Sequence, residues 1–167
     1  MTRDTPIFLV GFMGAGKTTV GRELARRLQF EFFDLDDLIA ERAGKTVQAI
    51  FAELGEAEFR RLESEAIQRC AGIVRTVIAL GGGAYVSKQN RDSLHSIGKT
   101  VWLDCPLEIC LARIGGDNSR PLLSDKDRMR KLLDERRPAY VSADFTIEVG
   151  NQSPEQIAGQ ISLLLNE

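Results

Sequence analysis

Eight residues constrain this chain more than any others: Gly11-Phe12-Met13-Gly14-Ala15-Gly16-Lys17-Thr18. They spell G-x-x-x-x-G-K-[ST]. They lie between an apolar run, Ile7-Phe8-Leu9-Val10, and a segment (residues 17–29) that places Val20, Leu24 and Leu28 at helical spacing. A strand, a glycine-rich turn and a helix in that order form a phosphate-binding loop. The glycines let backbone N–H groups close around phosphate oxygens, and the helix N-terminus adds the positive end of its dipole. Lys17 is the side chain for the β and γ phosphates, and the Thr18 hydroxyl is a Mg²⁺ ligand. A ligand-free turn is the plainer alternative, but a chance match is rarer than about one in a hundred at ordinary glycine frequency.

The rest of the chain supplies the sheet that such a loop needs. Residues 30–33 read as a strand ending at Asp34, and residues 36–43 as a short helix. Thr46 caps a helix from Val47 to Leu54, and Gly55 breaks it. Residues 56–71 form an amphipathic helix with Phe59, Leu62, Ala66, Ile67 and Cys70 on one face. A strand at 76–80 runs into Gly81-Gly82-Gly83, and a polar helix near 87–95 and a strand at 100–103 follow. Pro106 fits the first turn of a helix to about Ile114. Residues 115–124 are polar and glycine-rich, and residues 125–137 are helical and charged. The last strand is 145–149, and Ser153-Pro154 opens a final helix to Leu165. Alternating strands and helices imply an α/β fold, a three-layer sandwich around a five-stranded, mainly parallel sheet. At 167 residues the chain suits a single domain over 1–167, with a core that needs no staples. Ligands in such folds bind at the carboxyl ends of the strands.

Composition excludes several classes. The formal charge of −2 argues against a general nucleic-acid binder. Cys70, Cys105 and Cys110 are odd in number and lack metal-ligand spacing, which fits a reducing, cytoplasmic setting without disulfides or zinc. The only histidine, His95, sits in a polar stretch with no GxSxG elbow in the chain and reads as a surface residue. The uncharged run Pro6–Gly16 is about half a bilayer span. Asp4 and Lys17-Thr18-Thr19 spoil its likeness to a signal peptide, so no membrane association is expected.

No DxxG or NKxD motif accompanies the loop, which argues against a GTPase switch. The strand at 76–80 ends in glycines where an acidic residue is usual, so the second metal-side carboxylate must come from elsewhere. Asp34-Leu35-Asp36 offers two carboxylates pointing the same way from an extended strand end. One suits a metal-bound water and the other an acceptor hydroxyl. The alternative is an acidic loop that caps the following helix. Arg60 can pair with Glu63 one turn later, which would hold its guanidinium fork for a planar carboxylate. Alone, such a pair is more often a surface ion pair. Residues 113–137 carry eight basic and five acidic side chains, an excess that points to an anion site.

Together, GFMGAGKTT, FDLDD, GEAEFRRLE, LGGGA, SRPLL and ERRPAY resemble the bacterial shikimate kinases, small relatives of the nucleoside monophosphate kinases, in order from residue 11 to 140. The resemblance implies a P-loop kinase fold and transfer of the ATP γ-phosphate to the 3-hydroxyl of shikimate. It makes Gly14, Ala15, Gly16, Lys17, Thr18 and Thr19 the phosphate cradle. Thr18 and, through water, Asp34 become the Mg²⁺ contacts. Asp36 becomes the group that holds or deprotonates the hydroxyl. Arg60 and Arg136 grip the acid's carboxylate, and Gly81, Gly82 and Gly83 present backbone to it, with the Gly82 N–H central. Arg120 reaches the phosphates as a catalytic residue beside Lys17 and Asp36, while Arg113 and Gln152 flank adenine. Residues 36–71 become the substrate-binding helices, and about 113–125 a mobile lid that closes on substrates. A monomer is expected. Arg137 competes with Arg136 for its role. The rivals are a gluconate or nucleoside monophosphate kinase, and a nucleotide switch with no small acceptor.

Overall fold

The computed structural model describes residues 4–115 and 126–166. Five strands, β1 (Ile7–Val10), β2 (Glu31–Asp34), β3 (Thr76–Ala79), β4 (Lys99–Asp104) and β5 (Phe145–Glu148), form one sheet in the order β2-β3-β1-β4-β5. Every neighbouring pair is parallel. β1 and β3 are buried at every position, as strands covered on both faces must be.

The helices are α1 (Lys17–Leu28), α2 (Leu35–Ala43), α3 (Val47–Arg69), α4 (Lys88–Ile97), α5 (Leu107–Ile114), α6 (Lys126–Tyr140) and α7 (Pro154–Leu164), with a 3-10 turn at Ala84–Val86. The chain leaves β1 toward β2 but leaves β2, β3 and β4 in the opposite direction. With right-handed crossovers, α1 therefore covers one face of the sheet and the helices after β2 and β3 cover the other. α7 returns to pack on α1. The reversal lies between β1 and β3, so the turns after these two strands open a crevice at their carboxyl ends.

Four elements differ from expectation in ways that matter below. Asp36 does not extend β2. α2 starts at Leu35, and Asp36 lies in its first turn, because the Asp34 side chain caps the helix by accepting from the Asp36 N–H at 3.0 Å. Pro106 is the N-cap of α5, just outside the helix. Gly55 does break the helical path, with φ 84° and ψ 170°, but the segments on either side form one kinked helix, α3. α6 does not stop at 137. It runs through Pro138 to Tyr140, because proline's fixed φ suits a helix and the carbonyl that loses its donor belongs to exposed Asp134.

The three cysteines are free and buried. His95 lies at the surface of α4, where its ring joins the Tyr85 hydroxyl (3.0 Å) to Asp144 (3.5 Å).

Candidate active site

The crevice has two compartments. The phosphate loop divides them, and its glycines are dictated by backbone. Gly14 has φ 78°, and a Cβ there would lie 2.7 Å from the Cys110 carbonyl oxygen, so no other residue fits. Lys17 opens α1 and folds back over the loop, donating to the carbonyls of Gly11 (2.7 Å) and Phe12 (2.9 Å). Burial lowers its pKa to about 8, against partial recovery from nearby Cys110, Asp34 and Asp36. Thr18 Oγ1 donates to Asp34 Oδ2 at 3.1 Å. The capping role that the sequence offered as the alternative for Asp34 is therefore present, and the same carboxylate also reaches the phosphate loop. One oxygen caps α2 and the other meets the loop hydroxyl.

A hydroxyl and a carboxylate side by side at a phosphate loop are hard oxygen donors and fit Mg²⁺. Among the described residues no cluster of three or more acidic, His or Cys side chains could cage a metal alone.

On one side of the loop, Gly16, Thr19, Val20, Arg113, Gln152, Pro154 and Ile157 line a cleft of about 210 Å³. Arg113 donates to the Gly14 carbonyl at 3.3 Å. Gln152 is tied into its own loop by the Gly150 N–H (2.6 Å) and the Glu148 carbonyl (3.1 Å). Ser153 and Gln156 then form a capping box that starts α7 beside the cleft.

On the other side is a pocket of about 290 Å³ lined by Glu56, Arg60, Glu63, Ser64, Gly83, Val86, Ser87, Asn90 and Arg136. Gly83 lines it from the triplet Gly81–Gly83, and each glycine of that triplet lies against a different charged side chain. A Cβ would sit 2.9 Å from Asp36 Oδ1 at Gly81, 3.0 Å from Arg136 Nη1 at Gly82 and 2.5 Å from Arg60 Nη2 at Gly83. A side chain at any of the three positions would push on one of these charged groups and shift it.

Asp36 Oδ1 is buried without a hydrogen-bond partner. Burial raises the pKa of Asp36, as do Asp34 and Asp37, against the pull of Lys17 and Arg60. Arg60 donates to Glu63 Oε1 at 2.9 Å and lies 3.5 Å from Glu56. Glu63 is 1% exposed with Oε2 unpartnered, so this pair is no surface ion pair. Desolvation raises the Glu63 pKa, which Arg60 opposes. Arg136 enters the pocket from α6 with its guanidinium over the Phe12 ring, 5.9 Å from the centroid. Its neighbour Arg137 turns away, donating to Asp104 at 3.0 Å and covering the Trp102 ring.

The structure therefore brings together Lys17, Thr18, Asp34, Asp36, Arg60, the glycine triplet and Arg136, and sets Arg113 and Gln152 on the second cleft. Arg120 and most of the expected lid, residues 116–125, lie outside the described residues. The sequence reading missed Glu56, Asn90 and Tyr140. Asn90 is buried and donates to the Ala84 carbonyl at 2.9 Å. Tyr140 lies one turn beyond Arg136, a spacing hidden by ending the helix before Pro138.

The shikimate kinase family model matches residues 13–166. A shikimate kinase from Nostoc sp. is 43% identical over 159 residues, covering 93% of this chain and 87% of the relative. One from Geobacter sulfurreducens is 43% identical over 164 residues, covering 96% and 91%. Among solved structures, Acinetobacter baumannii shikimate kinase in complex with shikimate superposes with a TM-score of 0.90 at 39% identity, covering 97% of this chain and 93% of that one. The Bacteroides thetaiotaomicron enzyme gives 0.89 at 34% identity, covering 98% and 99%.

Proposed function

The chain belongs to the shikimate kinase family, an ATP-dependent kinase that transfers the γ-phosphate to the 3-hydroxyl of shikimate in aromatic amino acid biosynthesis, and from that premise we propose which of its residues do what. The observation that carries the assignment is the convergence of Asp36, Arg136 and Arg60 on Gly81, Gly82 and Gly83 beside the phosphate loop. Two guanidinium groups and one carboxylate on a single floor suit a small molecule with an acid at one end and hydroxyls at the other.

Arg60 and Arg136 hold the shikimate carboxylate, and Glu63 keeps the Arg60 fork oriented. The triplet, with the Gly82 N–H central, lines the acceptor, and Asp36 receives the reacting hydroxyl. Its unpartnered oxygen and raised pKa support a group that accepts that hydrogen bond and then the proton. The N–H groups from Gly14 to Thr19 cradle the phosphates at the positive end of α1, and Lys17 neutralises charge on the transferring group. Arg113 and Gln152 flank the base in the smaller cleft. Arg120 joins Lys17 at the phosphates, a role supported by the family resemblance. Thr18 directly and Asp34 through water would hold Mg²⁺, which would supply positive charge against the phosphates. We read the enzyme as a single-domain cytoplasmic monomer. Its buried free thiols support a reducing compartment, and among the described residues no helix is long and apolar enough to cross a membrane.

A coupled ADP-release assay with shikimate, gluconate and AMP tests the acceptor site. Turnover with shikimate alone is expected. Equal turnover of gluconate or AMP would overturn the assignment of the two arginines.

A further inference from the structure

The glycine floor is held from the core side by a residue that the chemistry above does not use. Tyr140 closes α6, is wholly buried, and donates its hydroxyl proton to the Gly82 carbonyl at 2.5 Å. Its ring stacks on Trp102 of β4, with centroids 5.9 Å apart and planes 29° from parallel. Burial pushes the phenol up to about 12 while neighbouring Arg136 pulls the other way, so the hydroxyl keeps its proton at neutral pH and serves as donor.

The ring alone would satisfy a core stack. The hydroxyl has a directional partner, and that partner belongs to the acceptor floor. The carbonyl of Gly82 and the N–H of Gly83 lie in one planar trans peptide and point to opposite sides. Fixing the carbonyl on Tyr140 therefore turns the Gly83 N–H away from the core. Gly83 lines the acceptor pocket against the Arg60 guanidinium. Among the described residues no backbone carbonyl accepts from its N–H. Tyr140 and Arg136 are four residues apart on α6, so one helix face carries both the grip on the acid and the clamp on the amide.

We propose that Tyr140 is a positioning residue for the acceptor: its hydroxyl orients the Gly82–Gly83 peptide so that the Gly83 N–H serves as a fixed donor into the shikimate pocket. The idea rests on reading that pocket as the acceptor site.

Tyr140→Phe keeps the ring and removes the clamp. The shikimate KM should rise about tenfold, the scale of one well-made hydrogen bond, with the ATP KM within about twofold, since the hydroxyl's partner is the Gly82 carbonyl and not the phosphate loop. Trp102→Phe is the counterpart, because it disturbs the stack and keeps the hydroxyl. Its shikimate KM should stay near wild type even if it melts earlier. An unchanged shikimate KM in Tyr140→Phe, or an equal rise in Trp102→Phe, overturns the proposal. If Tyr140→Phe does not fold, ¹⁵N-glycine labelling of the wild-type enzyme decides. The Gly83 amide proton should shift on adding shikimate and stay put with ATP alone, and a resonance that shikimate leaves unmoved overturns the proposal. Wild-type enzyme that does not phosphorylate shikimate would instead remove the acceptor reading itself.

Discussion

Residues 11–19 make the phosphate side of the crevice almost alone, whereas the acceptor side draws Asp36 from α2, Arg60 and Glu63 from α3, the turn after β3, and Arg136 from α6. The first is built mostly from backbone. Its donors are N–H groups whose direction is set by glycine geometry, and Lys17 is its one ammonium group. The second is built from side chains. It holds two carboxylates whose pKa values are raised by desolvation, opposite two guanidinium groups. Binding phosphate asks for dipoles that already point inward. Gripping an acid while leaving a basic oxygen for its hydroxyl asks for charges held partly out of water. Desolvated charge is therefore carried by a single ammonium, Lys17, on the phosphate side and by carboxylates set against guanidinium groups on the acceptor side.

Asp36→Asn should separate the two sides most sharply. It replaces the carboxylate proposed to take the hydroxyl proton with a neutral amide, so kcat should fall by roughly 10²-fold or more. ATP affinity should persist, because the phosphate loop is intact. The variant should also melt at a higher temperature at pH 7. A carboxyl whose folded pKa is raised is less favourable when charged in the folded protein than in the unfolded chain. That penalty is present at neutral pH and is relieved as pH falls through the folded pKa. Steady-state kinetics and a thermal melt read both effects. Near wild-type turnover would take Asp36 out of the mechanism, and a lower melting temperature would contradict its unfavourable burial.

Arg60→Lys and Arg136→Lys come next. Lysine keeps the charge and loses the bidentate fork, so each should weaken shikimate binding by about 2–3 kcal/mol. Calorimetric ATP affinity should hardly change. Equal losses for both ligands would mean that the two sides are coupled more tightly than their separate construction implies.

How much of this was readable beforehand follows the same division. The phosphate loop is contiguous, so its glycines, Lys17 and Thr18 carry their meaning in spacing alone. The strands and most helix starts are equally plain, because apolar runs and caps such as Thr46 and Ser153 are local signals. Asp36 is legible both as a candidate carboxylate and as the start of a helix at 36–43, but spacing alone does not decide between an extended strand end and the first helical turn, which the Asp34 cap settles. Glu63 was seen as Arg60's neighbour. Its near-total burial depends on what α3 packs against, which spacing does not encode. Asn90 carries no local signal at all. Pro138 concealed Tyr140, because a proline that usually ends a helix here continues one.

On the phosphate side the sharpest probe is pH. Lys17 must be protonated to neutralise phosphate charge, and its pKa in the folded protein is about 8, down from 10.5. The productive form is therefore lost as pH rises through about 8. The kcat/KM for ATP should fall about tenfold per pH unit above that point. Bound phosphates raise the pKa, so the kcat profile should bend at higher pH. A kcat/KM profile that stays flat to about pH 9.5 would show that the folded-back ammonium is not the group that matters.

The smallest effect belongs to Arg137, and it sharpens the division because the residue adjoins Arg136 in sequence and belongs to neither side. One step along a helix rotates a side chain by about 100°, and that rotation takes Arg137 out of the pocket and onto Trp102 and Asp104. Its guanidinium is about half exposed and its partner 23% exposed, which is the regime of a surface ion pair worth about 1 kcal/mol or less. The stack on the indole adds a similar amount. Arg137→Lys should therefore lower the melting temperature by a few degrees at most, leave the shikimate KM within about twofold and leave the ATP KM alone. The comparison with Arg136→Lys is decisive because the two variants make the same chemical change on neighbouring residues. A rise in shikimate KM for Arg137→Lys that matched or exceeded that of Arg136→Lys would reverse their roles, and with them the face of α6 that serves the acceptor.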